Sequence, residues 1–243
     1  IKSASKSGVD AVKFQTYLTE KRVPKKSKIY NILKNCELPF TSFKKLKDYA
    51  ESCGVIFFST AFDKESFDYL ESIKVKLYKI ASFDVTNLNL IKTISSSKKP
   101  IIISRGMATL SEIKKAYNLI QNKVNKIGLL HCVSSYPLKE KDANLKAIDT
   151  LKNNFKNCAS GYSDHTPDIK TSIYAVAGGA KIIEKHYKIS NSMKCVDAPV
   201  SISFKQMERL VKEIRMLEKI FGEGKLICLR SEKGTKIFRR KSK

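Results

Sequence analysis

Short β-branched and aromatic runs alternate with amphipathic stretches along most of this chain, always in the order strand, then helix. Ala11-Val12-Lys13-Phe14-Gln15-Thr16 predicts a first strand, and a helical period follows over 42–53. The unit recurs as strand 55–59 with helix 64–72, strand 77–81 with helix 88–97, and strand 100–104 with helix 110–121. Strands 127–131, 158–161 and 181–184, with helices 145–153, 169–177 and 203–221, bring the count to seven units. Runs such as Ile101-Ile102-Ile103 are apolar on consecutive residues, the pattern of a parallel sheet covered on both faces. Units of roughly 25 residues in this order predict an α/β fold, a (β/α)8 TIM barrel lacking its first strand. A doubly wound sheet fits less well, because neither a G-x-G-x-x-G turn nor a Walker loop occurs.

Residues 1–8 read as the tail of a helix already under way, and the stretch from 222 is Lys/Arg-rich and without a period. The expected organisation is therefore a partial barrel over 1–221 and a linker over 222–243, truncated at both ends. A length of 243 residues permits one barrel-sized core.

The net charge of +24 raises the question of a nucleic-acid partner. The basic residues are dispersed as singles and pairs along the predicted helices, with no interleaved aromatic platform, so most of them read as solvated surface and no nucleic acid is expected. A minority at strand ends is available for phosphate or carboxylate. The six cysteines form no CxxC pair and no metal-finger spacing, which points to a reducing cytoplasm. No apolar run long enough to span a membrane and no basic-then-apolar leader is present, so a membrane partner is not expected either.

In a barrel of this kind chemistry gathers where strands end. Lys13 and Gln15 share one face of the first strand; a lysine there needs an anion, unless it pairs with a neighbouring carboxylate or snorkels outward. Ser59-Thr60, Lys79 to Asp84, Ser104-Arg105-Gly106-Met107 and His131 to Pro137 each follow an apolar strand core. Such a ring of Lys and Ser/Thr donors suits a phosphorylated small acid, although for any single Ser a strand end or helix cap is the preferred reading and the signal lies in the set. The last strands carry Gly161-Tyr162-Ser163-Asp164-His165-Thr166 and Glu184-Lys185-His186-Tyr187. His165 and His186 end adjacent strands, within reach of one ion; the plainer alternative for each is a hydrogen-bonded structural imidazole, the reading preferred for His131.

With these residues in place the sequence resembles the sialic acid synthase family, the N-acetylneuraminate synthases with their legionaminic and pseudaminic acid relatives. The likeness runs through DAVKFQTY, FFSTAFD, YKIAS, ISRGMATL, HCVSSYP, GYSDHT and IEKHY to Arg239-Arg240. It implies a transferase that condenses phosphoenolpyruvate with an N-acetylated amino sugar such as N-acetylmannosamine, releasing phosphate. It implies a divalent metal on His165 and His186, Mn2+ in first place with Mg2+ or Co2+ as alternatives, acting as Lewis acid. Lys13, Lys79, Ser82, Ser104, Ser134, Tyr136 and Ser163 match the phosphoenolpyruvate shell, and Gln15 matches a sugar-facing position. Asp84, Asp197 and Lys79 are the candidate catalytic groups, the two carboxylates positioning water or sugar hydroxyls.

Departures from the family pattern are equally specific. A first strand carrying a catalytic Glu is missing, and Arg105 replaces the usual Thr, adding charge beside the implied phosphate site. A C-terminal antifreeze-like domain, which in swapped dimers reaches the partner's site, would begin where the chain stops. The resemblance therefore implies a homodimer at full length, and weak phosphoenolpyruvate binding with poor turnover by these residues alone. The competing readings are a synthase using a sugar phosphate as acceptor and a non-catalytic anion-binding barrel.

Overall fold

The computed structural model describes residues 1–240. A short helix, α1 (Lys2–Lys6), leads into β1 (Ala11–Thr16). An excursion carrying α2 (Thr19–Arg22) and α3 (Tyr30–Cys36) precedes α4 (Phe40–Ser52). The alternation is then regular: β2 (Ile56–Ala61), α5 (Lys64–Ser72), β3 (Tyr78–Ile80), α6 (Leu88–Ser95), β4 (Ile101–Arg105), α7 (Leu110–Ile120) and β5 (Ile127–Cys132). It continues with α8 (Ala147–Asn154), β6 (Cys158–Asp164), α9 (Lys170–Ala177), β7 (Ile182–Lys185) and α10 (Phe204–Phe221).

The seven strands form one parallel sheet in sequence order, β1 to β7. Among the described residues no strand order reverses, so they form no switch point of the doubly wound kind, and the sheet curls in one direction as in a (β/α)8 barrel. A flat sheet would hold β1 and β7 about 29 Å apart at ordinary strand spacing. Instead Lys13 Nζ of β1 lies 3.2 Å from Glu184 Oε1 of β7. Among the described residues no strand pairs with the outer edge of β1, and β7 is followed only by the single parallel bridge Tyr187–Ile202.

Period-two alternation sorts each strand's side chains. Tyr78, Ile80, Ile101 and Ile103 point outward and pack with Leu70, Ile91, Ile94 and Ile113 of the helices, so the largest apolar core lies between sheet and helices. Start signals fix several helices. Thr109 and Glu112 form a reciprocal capping box on α7, Ser203 and Gln206 do the same on α10, and Asp63 caps α5 by accepting from Ser66 N at 2.7 Å. Inside the curl space is tight. A Cβ on Gly161 would stand 2.3 Å from the Ile182 carbonyl oxygen, so only glycine lets β6 and β7 approach as they do. Beyond α10, residues 222–240 are exposed and carry only two short 3-10 turns; the rest of the expected linker, 241–243, lies outside the described residues.

Candidate functional site

Side chains at the inward positions near the strand ends converge in three groups. The first is ionic. Glu184 of β7 receives Lys79 Nζ at 3.0 Å, Lys13 Nζ at 3.2 Å and Ser163 Oγ at 3.0 Å, all on Oε1. Lys79 is 2 % exposed. Its burial lowers the ammonium to about 8 despite the opposing pull of Glu184, and Lys13 adds to the lowering. Burial would raise the Glu184 carboxyl, yet Lys13 and Lys79 hold it well below the ordinary carboxylate range. Two ammonium groups on one carboxylate leave a net positive floor, suited to an anion.

The second group is a hydroxyl cradle. Ser82 Oγ and Ser134 Oγ are 3.0 Å apart across Gly106, where a Cβ would come within 2.1 Å of Ser134 Oγ and 2.7 Å of Ser82 Cβ. Gly106 thus leaves the space in which the two serines meet. Ser104 Oγ, on the inward face of β4, is buried and has no hydrogen-bond partner. A buried hydroxyl without a partner is costly, and an incoming acceptor oxygen would satisfy it.

The third group surrounds the two histidines. Their ring centroids are 5.4 Å apart, Tyr136 stacks on His165 at 4.1 Å, and it meets His186 edge-on at 6.0 Å. His165 Nδ1 lies 2.8 Å from the Val133 carbonyl oxygen, which can only accept, so Nδ1 carries the proton and Nε2 keeps its lone pair. Burial pulls His165 down to about 4, so the ring is neutral, the form that binds a metal. Asp197 Oδ2 lies 3.4 Å from His186 Nδ1, and His186 in turn lowers the Asp197 carboxyl. Two rings around a shared ion at bonds of about 2.1 Å would have centres roughly 5 Å apart, so this pair fits a divalent ion. Among the described residues no three His, Cys, Asp or Glu side chains converge on one point.

The candidates thus fall together as sets: Lys13, Lys79 and Ser163 on Glu184; Ser82, Ser104 and Ser134 around Gly106; Tyr136 and Asp197 with His165 and His186. Gln15 and Asp84 stand apart from them. Gln15 Oε1 accepts from Arg22 NH1 at 3.4 Å, and Asp84 closes a single 3-10 turn, where burial raises its carboxyl. Arg105 NH1 reaches the Gly106 carbonyl oxygen at 3.4 Å, but its guanidinium does not enter the cradle. It projects to the outer face of β4, where NH1 donates to Ala108 O at 3.2 Å and NH2 meets His131 Nδ1 at 3.2 Å. His131 Nε2 donates to Ala143 O at 2.7 Å, which makes His131 a structural imidazole.

The motif Glu184-Lys185-His186-Tyr187 does not by itself give Glu184 a role. An acidic residue two positions before His186 shares its face, and that period was the available signal. The outer face carries the buried pair Asp164–Lys185, 3.0 Å apart, which no local signal in the sequence announces. Asp164 further accepts from Thr166 N at 2.8 Å, Thr171 Oγ1 at 2.8 Å and Ser172 Oγ at 2.6 Å, and so fixes the turn that presents His165.

Comparison with known proteins adds a lineage to this geometry. A model of the NeuB family matches residues 1–226. The uncharacterized protein MJ1065 of Methanocaldococcus jannaschii is 41% identical over 243 residues, covering 100% of this chain and 72% of that protein. The N,N'-diacetyllegionaminic acid synthase of Campylobacter jejuni is 37% identical over 241 residues, 92% of this chain and 72% of its own length. The N-acetylneuraminic acid (sialic acid) synthetase of Leptospira borgpetersenii, solved with citrate, superposes with a TM-score of 0.93 at 38% identity, covering 98% of this chain and 83% of that one.

Proposed function

Since the chain belongs to the NeuB family, we propose that it joins phosphoenolpyruvate to an N-acylated amino sugar, giving a nine-carbon 2-keto sugar acid and inorganic phosphate. The observation that carries this reading is the net-positive floor of Lys13, Lys79 and Glu184 beside the hydroxyl cradle and its unsatisfied Ser104. A small acid with two anionic groups matches that set; the relatives named as legionaminic and sialic acid synthases support the acceptor class.

On this reading Lys13 and Lys79 meet carboxylate and phosphate oxygens, while Ser82, Ser104, Ser134 and Ser163 donate hydrogen bonds to them. The methylene carbon of the enol attacks the aldehyde carbon of the open-chain sugar, forming the new C–C bond. The aldehyde oxygen takes a proton and becomes a hydroxyl. Water adds to the cationic carbon left behind, and the tetrahedral intermediate expels phosphate as its C–O bond breaks, leaving the keto group. Asp197, beside His186, and Asp84, which lies outside the three groups and whose carboxyl burial raises, are the candidate carboxylates for positioning water and the sugar hydroxyls. His165 and His186 would hold a divalent ion, which supplies Lewis-acid polarisation of a carbonyl oxygen when bound. Tyr136 covers the His165 ring and limits water there.

The open seam between β1 and β7 reads as the place of an eighth strand that would complete the (β/α)8 barrel. The test of function is phosphate release from phosphoenolpyruvate by the intact protein, with N-acetylmannosamine and related amino sugars, with Mn2+ and with chelator. Metal-dependent release with an acylated amino sugar is the expected result. A folded, metal-loaded protein that releases none with any such sugar would overturn the assignment.

A further inference from the structure

Arg105 stands between two residues of the hydroxyl cradle without sharing their face. Ser104, before it, points inward with its unpartnered Oγ; Gly106, after it, leaves the space in which Ser82 and Ser134 meet. The half-buried Arg105 side chain runs along the outer side of β4 instead. NH1 donates to the Gly106 carbonyl oxygen at 3.4 Å and to the Ala108 carbonyl oxygen at 3.2 Å, and NH2 lies 3.2 Å from Nδ1 of His131. His131 is the residue opposite Arg105 in the β4–β5 pairing. One guanidinium therefore ties the bend that follows β4 to the neighbouring strand.

His131 is a fixed anchor for that tie. The ring is buried and stacks on Tyr162 at 5.7 Å between centroids. Its Nε2 faces the Ala143 carbonyl oxygen at 2.7 Å, which can only accept, so the proton sits on Nε2 and Nδ1 turns a lone pair toward Arg105. Ser134 follows three residues later, so the segment that His131 pins also supplies the far wall of the cradle. The near wall has no slack. A Cβ at Gly106 would collide with both Ser134 and Ser82, which means that the backbone of the bend already touches the two serines and any shift of it is passed on to them. Among the described residues Arg105 forms no ion pair; its partners are two carbonyl oxygens and an imidazole, neutral acceptors that use the planar fork of the guanidinium and not its charge.

We propose, resting on the synthase reading, that Arg105 is a positioning residue: from the outer face of β4 it braces the Gly106 bend against His131, and so holds Ser82, Ser104 and Ser134 at the separation that receives one anionic group of phosphoenolpyruvate. It touches no substrate itself.

The test is titration calorimetry of phosphoenolpyruvate with the intact protein, beside steady-state phosphate release, for wild type, Arg105→Met, Arg105→Lys, His131→Phe and the Arg105→Met/His131→Phe double variant. Arg105→Met is expected to weaken phosphoenolpyruvate binding on the order of ten-fold and to raise its KM by the same factor, with KM for the amino sugar and kcat left in place. Arg105→Lys keeps the charge, but one ammonium cannot serve both carbonyls and the ring, so it recovers little. His131→Phe keeps the stacked ring without its acceptor and should match Arg105→Met, and the double variant should be no worse than the weaker single one, because each cuts the same brace. Thermal melts report folding, and Arg105→Lys with His131→Phe decide the matter if Arg105→Met does not fold. Tyr78→Phe, which loses its bond to Glu71 at the other end of the sheet, is the stability control: a lower Tm with unchanged phosphoenolpyruvate affinity.

Unchanged affinity in Arg105→Met overturns the proposal. Full recovery in Arg105→Lys overturns it by making charge the cause, losses that multiply in the double variant by separating the two residues, and KM rising for both substrates in step with Tm by making Arg105 a structural prop. Wild type that binds phosphoenolpyruvate but releases no phosphate with any amino sugar sinks the synthase reading while the affinity series still decides the brace; wild type that turns over beside variants of equal affinity sinks the brace alone.

Discussion

Lys13, Lys79 and Ser163 all depend on one oxygen, Glu184 Oε1. Replacing that carboxylate leaves two ammonium groups facing each other out of water. Glu184→Gln should cost about 3–5 kcal/mol, the usual effect of removing one partner from a buried ionic cluster, visible as a lowered urea midpoint. A midpoint within experimental error of wild type would mean that the cluster is solvated and not structural. Lys79 gives a separate pH signature. Its ammonium titrates near 8 in the folded protein against an ordinary value of 10.5, so between those values the unfolded chain binds more protons and the Lys79 contribution to stability rises with pH. Affinity for an anion runs the other way, because the charge is lost as pH passes through about 8. Phosphoenolpyruvate binding measured at pH 7 and pH 9.5 should weaken by roughly ten-fold while stability does not fall. At this scale the sequence showed that Lys13 and Lys79 needed an anion, but not that Glu184 already shares them, since its strand is more than a hundred residues from Lys79 along the chain.

The strands obey one alternation. On β6, β7 and the residue that follows each, Ser163, His165, Glu184 and His186 face inward, while Tyr162, Asp164 and Lys185 face the helices. The outer set holds the inner one in register. Asp164, fully buried, gathers Thr166 N, Thr171 Oγ1, Ser172 Oγ and Lys185 Nζ. Asp164→Asn removes the counter-charge of Lys185, 1% exposed, and should cost about 3–5 kcal/mol in chemical denaturation. Because the same bonds shape the turn before His165, Mn2+ affinity measured by titration calorimetry should fall too; unchanged metal binding in a destabilised variant would separate the two roles. Element positions were largely legible, since strand 11–16 and helix 64–72 coincide with β1 and α5 and the other boundaries moved by a few residues. The short helices α2 and α3 were not, because residues 19–36 carry no apolar period and are held by polar anchors such as Glu37 and Asp63.

Across the whole molecule, a charge of +24 is distributed over an exposed surface around a net-positive pocket. A field of that sign should speed the arrival of a doubly anionic substrate and be screened by salt. Raising ionic strength from about 0.05 to 0.5 M should slow phosphoenolpyruvate association several-fold and leave a neutral sugar's association unaffected, as stopped-flow binding would show. Equal slowing for both substrates would place the effect elsewhere than in the field. The sequence by itself determined the repeating strand–helix order, the buried parallel character of the strands and the chemical types gathered at their ends, because period and residue type are local properties. Only the tertiary structure decided which of those residues meet. The curl of the sheet carries β1 to β7 and sets Lys13 against Glu184; strand alternation turns Arg105 away from the cradle; and the α2 excursion brings Arg22 to Gln15. These pairings depend on curvature and on loops without a period, which are fixed by contacts between residues far apart in the chain.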